Sequence, residues 1–312
     1  VLRLAYLPIT DATALLVAHG MGYFEEEGLR VAKPQMVKDW TTIVRGFVGG
    51  HFNLVHLLKP IPVWMRYNNL FPVKIMAWAH LNGSAIVVGK DSNILGFKDF
   101  AGKVIAIPYW YSMHNIVLQQ GLRKAGIRIS LDAKKEQLEA DECRLNVLPP
   151  SFMVKALAAG KVDAFTVAEP FNALGELKAG GKVMRFTGDI WRNHPCCVIC
   201  MHEEEIYRRP AWTQKVMNAL VRAEIYAAQN KREVAHMLSK DGKGYLPMRA
   251  KVVEHAMTFY DPDHYSTPNA MQNQSVWHSD RIDFSPYPYP SATKFIVEMM
   301  NKTIVEGDKT FL

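Results

Sequence analysis

No stretch of this 312-residue chain reaches the roughly 18 consecutive apolar residues that a membrane-spanning helix requires. P-loop, G-x-S-x-G and H-E-x-x-H motifs are also missing, and Gly20-Met-Gly22 lacks the third glycine of a dinucleotide fingerprint. These absences remove the usual signatures of nucleotide binding, serine hydrolysis and zinc proteolysis. No zinc-finger spacing or RNP-like aromatic pattern occurs, and the 37 Lys and Arg residues are dispersed rather than gathered in a block. The formal net charge of +7 therefore reads as a solvated surface and a mild lure for small anions, with no nucleic-acid partner. Four cysteines, Cys143, Cys196, Cys197 and Cys200, are too few for a disulfide scaffold. There is no low-complexity tract, flexible linker or short-period repeat.

What is present is ordinary globular composition, 49% hydrophobic and 21% charged, in a chain long enough for one large α/β domain or two lobes. It opens on a strand-like run, Val1 to Leu7, with no visible signal peptide; a leader removed on export would leave the same start. A helical run from Ala12 to Phe24 follows, then extended chain from Leu29 to Val37. Strands over Phe52–His56, Pro72–Trp78 and Ala85–Gly89 alternate with helices over Thr41–Phe47 and Pro60–Tyr67. From about Lys90 the alternation restarts, with strands at Lys103–Pro108, Arg144–Leu148 and Lys161–Val167. Thr187 to Met201 reads as extended, and long helices dominate beyond Ala211. Such alternation predicts mostly parallel sheets with helices on their faces.

Two places share one arrangement. Leu2–Leu7 runs into Pro8-Ile-Thr-Asp-Ala12, and Val104–Ile107 runs into Pro108-Tyr-Trp-Tyr-Ser112; each is a buried strand leading through a polar loop to a helix start. Both offer backbone N–H groups and a positive helix end at the carboxyl edge of a sheet, where ligands of open α/β sheets sit.

Ile9-Thr-Asp-Ala12, Gly22-Tyr-Phe24, Val147–Val154, Gly160–Phe165, Ala168–Ala173, Thr187–Trp191 with His194-Pro195, and Asp283–Ser291 form an ordered set. Together they resemble the solute-binding subunits of nitrate, bicarbonate, sulfonate and taurine ABC importers, the nitrate and bicarbonate branch most closely. The resemblance implies an α/β periplasmic-binding-protein fold of two lobes, with a two-segment hinge crossing near Val87–Lys90 and Val198–His202. Residues 1–88 and 199–312 would form lobe one, and 89–198 an inserted lobe two. It further implies a monomeric, non-enzymatic binding protein without cofactor or metal, periplasmic or lipid-anchored outside the cytoplasmic membrane. Its partners would be a membrane permease and an ATPase, and its ligand a small anion.

The same resemblance places Trp40 as a stacking surface for a planar oxyanion, and Ser84 and His114 beside the ligand. Thr10, at the mouth of the first helix, offers a hydroxyl, while Asp11 reads as that helix's N-cap. Glu169, ending a strand before Pro170, either accepts from a ligand or anchors the opposing loop. Cys197 stands where nitrate binders carry lysine and bicarbonate binders glutamate, which argues against simple nitrate. Cys197-Val-Ile-Cys200 also spells C-x-x-C, but on a strand those two side chains point to opposite faces. Two other classes compete: an enzyme like the thiamine-pyrimidine synthases, echoed faintly in His194–Cys200, and a metal carrier using His114 and Cys197, with His194 as a further ligand.

Overall fold

Unbroken runs of apolar and β-branched residues, too short for helices, become strands covered on both faces. A computed structural model describes residues 1–132, 135–268, 270–273 and 281–312. Its strands are β1 (Leu4–Tyr6), β2 (Gln35–Met36), β3 (Leu54–Leu58), β4 (Val73–Trp78), β5 (Leu81–Asn82), β6 (Ser84–Val88) and β7 (Val104–Ile107). They continue with β8 (Arg128–Ser130), β9 (Glu142–Val147), β10 (Ala164–Ala168), β11 (Lys182–Phe186), β12 (Cys197–His202) and β13 (Ile282–Asp283). Every residue of β1, β3, β6 and β10 is buried.

Two sheets result. The first has the order β2-β1-β3-β12-β4, with β12 antiparallel to both neighbours; the second has the order β11-β6-β10-β7-β9-β8, with β6 antiparallel to β10 and β11. A short ribbon pairs β5 with β13. Among the described residues no helix is long and apolar enough to cross a membrane.

The two crossings between sheets lie earlier in the chain than expected. Ser84–Val88, assigned from sequence to lobe one, pairs along its full length with β10, from Ser84↔Ala168 to Val88↔Ala164, and so belongs to the second sheet. Cys197 and Val198, at the edge of the expected lobe two, pair with Leu58 and Leu57 in the first sheet. The chain therefore crosses between Trp78 and Ser84 and again between Phe186 and Cys197. Part of the C-terminal region also leans on the second lobe: helix Ala250–Thr258 packs on helix Phe171–Ala179, and Phe186 N donates to Ala270 O.

Other differences are local. The expected Ala12–Phe24 helix divides into a 3-10 turn at Thr10–Ala12, helix Thr13–Gly20 and a short turn at Tyr23–Glu26, with Gly22 at φ 76° between the last two. Only glycine adopts that left-handed value without strain. Thr187–Ile190, expected as extended chain, is a helical turn.

The sheet directions fix the position of the site. In the first sheet the ends of β1, β3 and β4 and the start of β12 share one edge. In the second, the ends of β7, β10 and β11 and the start of β6 do the same. These two edges face each other.

Candidate functional site

On the first edge, Asp11 does not cap a helix. Ile9 and Ala12 occupy the cap positions, and neither makes a side-chain cap bond. Asp11 is instead fully buried, with Oδ2 2.9 Å from His80 Nε2 and accepting from the Cys197 thiol at 3.0 Å. A carboxylate withdrawn from water is held there by other polar groups, because burial without partners is costly. His80 follows β4 in the first crossing, and Cys196 precedes β12 in the second.

On the second edge, the Ser112 hydroxyl accepts from Asn115 N at 3.0 Å and starts helix Met113–Lys124. This places His114 in the first turn, with Nε2 2.8 Å from Ser84 Oγ and 3.8 Å from Cys196 Sγ. Ser84, His114 and Cys197, three residues proposed from sequence, are thus drawn into one buried network through Cys196.

Trp40 is the first residue of helix Trp40–Val48, which Asp39 caps by accepting from Thr42 N at 2.7 Å. The indole is 2% exposed and meets the His56 ring edge-on at 5.5 Å between centroids. His56 Nε2 accepts from Leu7 N at 3.0 Å, and burial brings this imidazole down to about 3, so it is neutral and its hydrogen is on Nδ1. His194 Nε2 lies 2.8 Å from Thr187 Oγ1, and burial lowers it to about 4. Trp40 Nε1 and the Nδ1 atoms of His56, His114 and His194 find no hydrogen-bond partner among the described residues.

Thr10 and Glu169 make a latch between the lobes. Thr10 N and Thr10 Oγ1 both donate to the Glu169 carbonyl, at 2.8 and 3.1 Å. The hydroxyl expected to meet a ligand therefore bonds to the protein. Of the two roles open to Glu169, its backbone performs the loop anchoring. Its carboxylate turns instead to Arg281 Nε at 2.6 Å and to Ala173 N at 3.1 Å. Arg281 also holds Glu176 at 2.7 Å and donates to Tyr265 Oη at 2.6 Å.

The charges divide unevenly. Burial opposes charge on His80, yet Asp11 and Cys196 outweigh it and push the imidazole up to about 10. Burial alone would also raise the Cys196 thiol, but the adjoining Cys197 and the imidazoles of His114 and His80 hold it well below the usual value. Cys197 is pushed the other way, by burial and by the negative neighbours Cys196 and Asp11.

Sequence reasoning missed His56, His80, Cys196 and Arg281. Asp11, His80, Cys196 and Cys197 present metal-ligating atoms within 4.8 Å of one another; of the ligands named for the metal-carrier alternative, only Cys197 is among them. Cys200, three residues along β12, stands outside that group and near Lys59, as strand alternation requires.

Two layered α/β lobes, joined by two crossings and meeting at their sheet edges over a polar seam, define the class of two-lobed solute-binding folds. The chain matches the NMT1-like family over residues 1–239 and belongs to that family. It is 27% identical to the nitrate/nitrite binding protein NrtA of Nostoc over 93% of this chain and 67% of that protein. It is likewise 27% identical to the bicarbonate transport ATP-binding protein CmpC of Synechocystis, over 75% of this chain and 36% of that longer protein. The crystal structure of the periplasmic nitrate-binding protein NrtA from Synechocystis superposes with a TM-score of 0.78 at 19% identity, covering 96% of this chain and 80% of that one.

Proposed function

We propose that this chain is the ligand-binding subunit of an ABC importer. It works outside the cytoplasmic membrane, free in a periplasm or held by a lipid anchor, and delivers its solute as a monomer to a permease and an ATPase. The observation that carries this reading is the set of buried polar atoms without protein partners at the facing sheet edges: Trp40 Nε1 and the Nδ1 atoms of His56, His114 and His194. Native interiors pair nearly all such groups, so ring nitrogens left unpaired beside the facing edges are candidates to bond a solute. Three are ring N–H groups or can become so, which suits a small anion read by neutral donors. An oxyanion or sulfonate fits this description. Nitrate alone fits the metal-free site poorly, because Cys197 bonded to Asp11 offers no cation to repay lost hydration. The relatives named above are nitrate- and bicarbonate-transport proteins, which supports trapping rather than transformation.

Calorimetry with nitrate, bicarbonate, taurine and short alkanesulfonates tests the reading. At least one of these should bind one to one. Trp40→Ala and His114→Ala, checked for folding by circular dichroism, should each weaken binding by about 1–3 kcal/mol through lost stacking or a stranded acceptor. Wild-type affinity in either variant would remove that residue from the site.

Closure is measured separately. Thr10 and Glu169 latch the lobes at the same seam, so a ligand bonded to both edges favours the closed form. Small-angle scattering should show a smaller radius of gyration with saturating ligand than without. Tight binding at constant radius would dismiss the hinge.

A further inference from the structure

Solute capture by the ring donors leaves one cluster at this seam unused. The carboxylate of Asp11, an imidazole nitrogen of His80 and the sulfurs of Cys196 and Cys197 lie within 4.8 Å of one another, and all four residues are fully buried. They come from three separate places in the chain: the loop after β1, the first crossing, and the junction of the second crossing with β12. Chance proximity of one or two such groups is common. A complete buried set of two sulfurs, an imidazole and a carboxylate is not.

The orientation of the donors adds a second observation. His80 Nε2 stands 2.9 Å from Asp11 Oδ2 in a buried ion pair, and His80 Nδ1 is buried without a partner. Asp11 Oδ1 is likewise buried without a partner. An unpaired carboxylate oxygen inside this buried cluster leaves a position open to an ion. The alternative holding force, a charged pair in a dry interior, is weak compensation for two desolvated groups.

Donor type selects the ion. Two sulfurs exclude the hard cations, which take oxygen ligands only. Two thiolates, an imidazole and a carboxylate match the tetrahedral preference of zinc-class divalent ions. Zn–N and Zn–S bonds of about 2.0–2.3 Å place tetrahedral ligands roughly 3.3–3.8 Å apart, so the widest pair here closes by about an ångström.

We propose that Asp11, His80, Cys196 and Cys197 form a binding site for a zinc-class divalent cation. Binding replaces the protons on His80 and on the Cys197 thiol with four bonds to the ion, and those protons pass to solvent. The ion ties both crossings to the opening loop of the first lobe, and Cys196 carries the tie to His114 on the second. The proposal goes beyond solute capture and does not depend on it, since the site is complete without an added ligand.

The test uses the full chain, reduced, stripped with a chelator and titrated with cobalt(II). One cobalt per chain should bind, with strong sulfur-to-cobalt charge-transfer absorption and the visible bands of tetrahedral geometry, and one equivalent of zinc should bleach both. Replacing both sulfurs (Cys196→Ser with Cys197→Ser) should abolish the charge-transfer band. Zinc affinity should then fall by more than the roughly 10–100-fold that loss of an outer-shell partner costs. Asp11→Asn should keep the band and weaken zinc. The proposal fails if the reduced wild-type chain takes up no cobalt, or takes it up without sulfur bands. It fails equally if a folded double-serine chain holds zinc as tightly as wild type. Calorimetry with taurine and nitrate on zinc-free and zinc-loaded protein reads the solute site separately, so either proposal can fall alone.

Discussion

Arg281→Ala should lower the stability of the fold by about 3–5 kcal/mol, read as a drop in the urea midpoint, because it strands buried charge. The guanidinium is fully enclosed and bonds Glu169 at 2.6 Å, Glu176 at 2.7 Å and Tyr265 Oη at 2.6 Å. Burial would raise Glu176, but Arg281, His255 and Tyr265 overcome that and hold it down to about 2. A carboxylate depressed in this way adds stability above its unfolded value, near 4.5, and that stability is lost as pH falls toward 2. In wild type the midpoint should therefore fall steeply across that window. In the alanine variant it should start low and fall less. Equal midpoints in the two proteins at neutral pH would show that Glu169 and Glu176 do not depend on this arginine.

Lys59 has the opposite sign. Its side chain is fully buried, with Nζ donating to Thr293 Oγ1 at 2.8 Å and lying 5.4 Å from the Trp78 ring, and it pairs with no carboxylate among the described residues. Burial lowers it from 10.5 to about 8. Between those values the unfolded chain binds more protons than the folded one, so this residue makes stability rise with pH there. Below pH 8 it costs the fold about 3 kcal/mol at 1.36 kcal/mol per unit. Lys59→Met should remove the slope and raise neutral stability by about 1–3 kcal/mol, the lost bond to Thr293 offsetting part of the gain. The difference between the two urea midpoints, followed from pH 7 to pH 10.5, isolates this residue from others that titrate nearby. A difference that stays flat would mean that Lys59 reaches water.

The strands and long helices were legible because their apolar runs are short and unbroken or periodic, and the alternation of the two is itself a topology signal. The crossings were not. Ser84–Val88 looks the same in sequence whichever sheet it joins, and only its register with β10 decides. The loop-to-helix junctions that hold Thr10 and His114 were legible because such a junction has a local pattern, whereas His114 itself was singled out by the resemblance. His80 and Cys196 sit in irregular chain between sheets, where no periodicity assigns a face. The strand-alternation argument separated Cys197 from Cys200 correctly. It did not apply to Cys196, which precedes the strand and is free to turn toward its neighbour. Asp11 matched a helix cap in residue type and position, and the available signal against that reading lay seventy residues away, in a histidine just after a buried strand.

The polypeptide after the last helix has a mechanical role. Beyond helix Pro290–Lys302, which packs on helix Pro60–Tyr67 of the first lobe, the backbone carbonyl of Ile304 accepts from Asn115 and Gln119 of the second. Glu306 then meets Trp110, and the Asp308 carbonyl meets the Tyr111 hydroxyl. These bonds follow one another in sequence along a single strip. Separation of the lobes has to break these bonds as well as the Thr10–Glu169 latch. A hinge that opens must therefore carry its own C-terminal tail across the gap or let go of it.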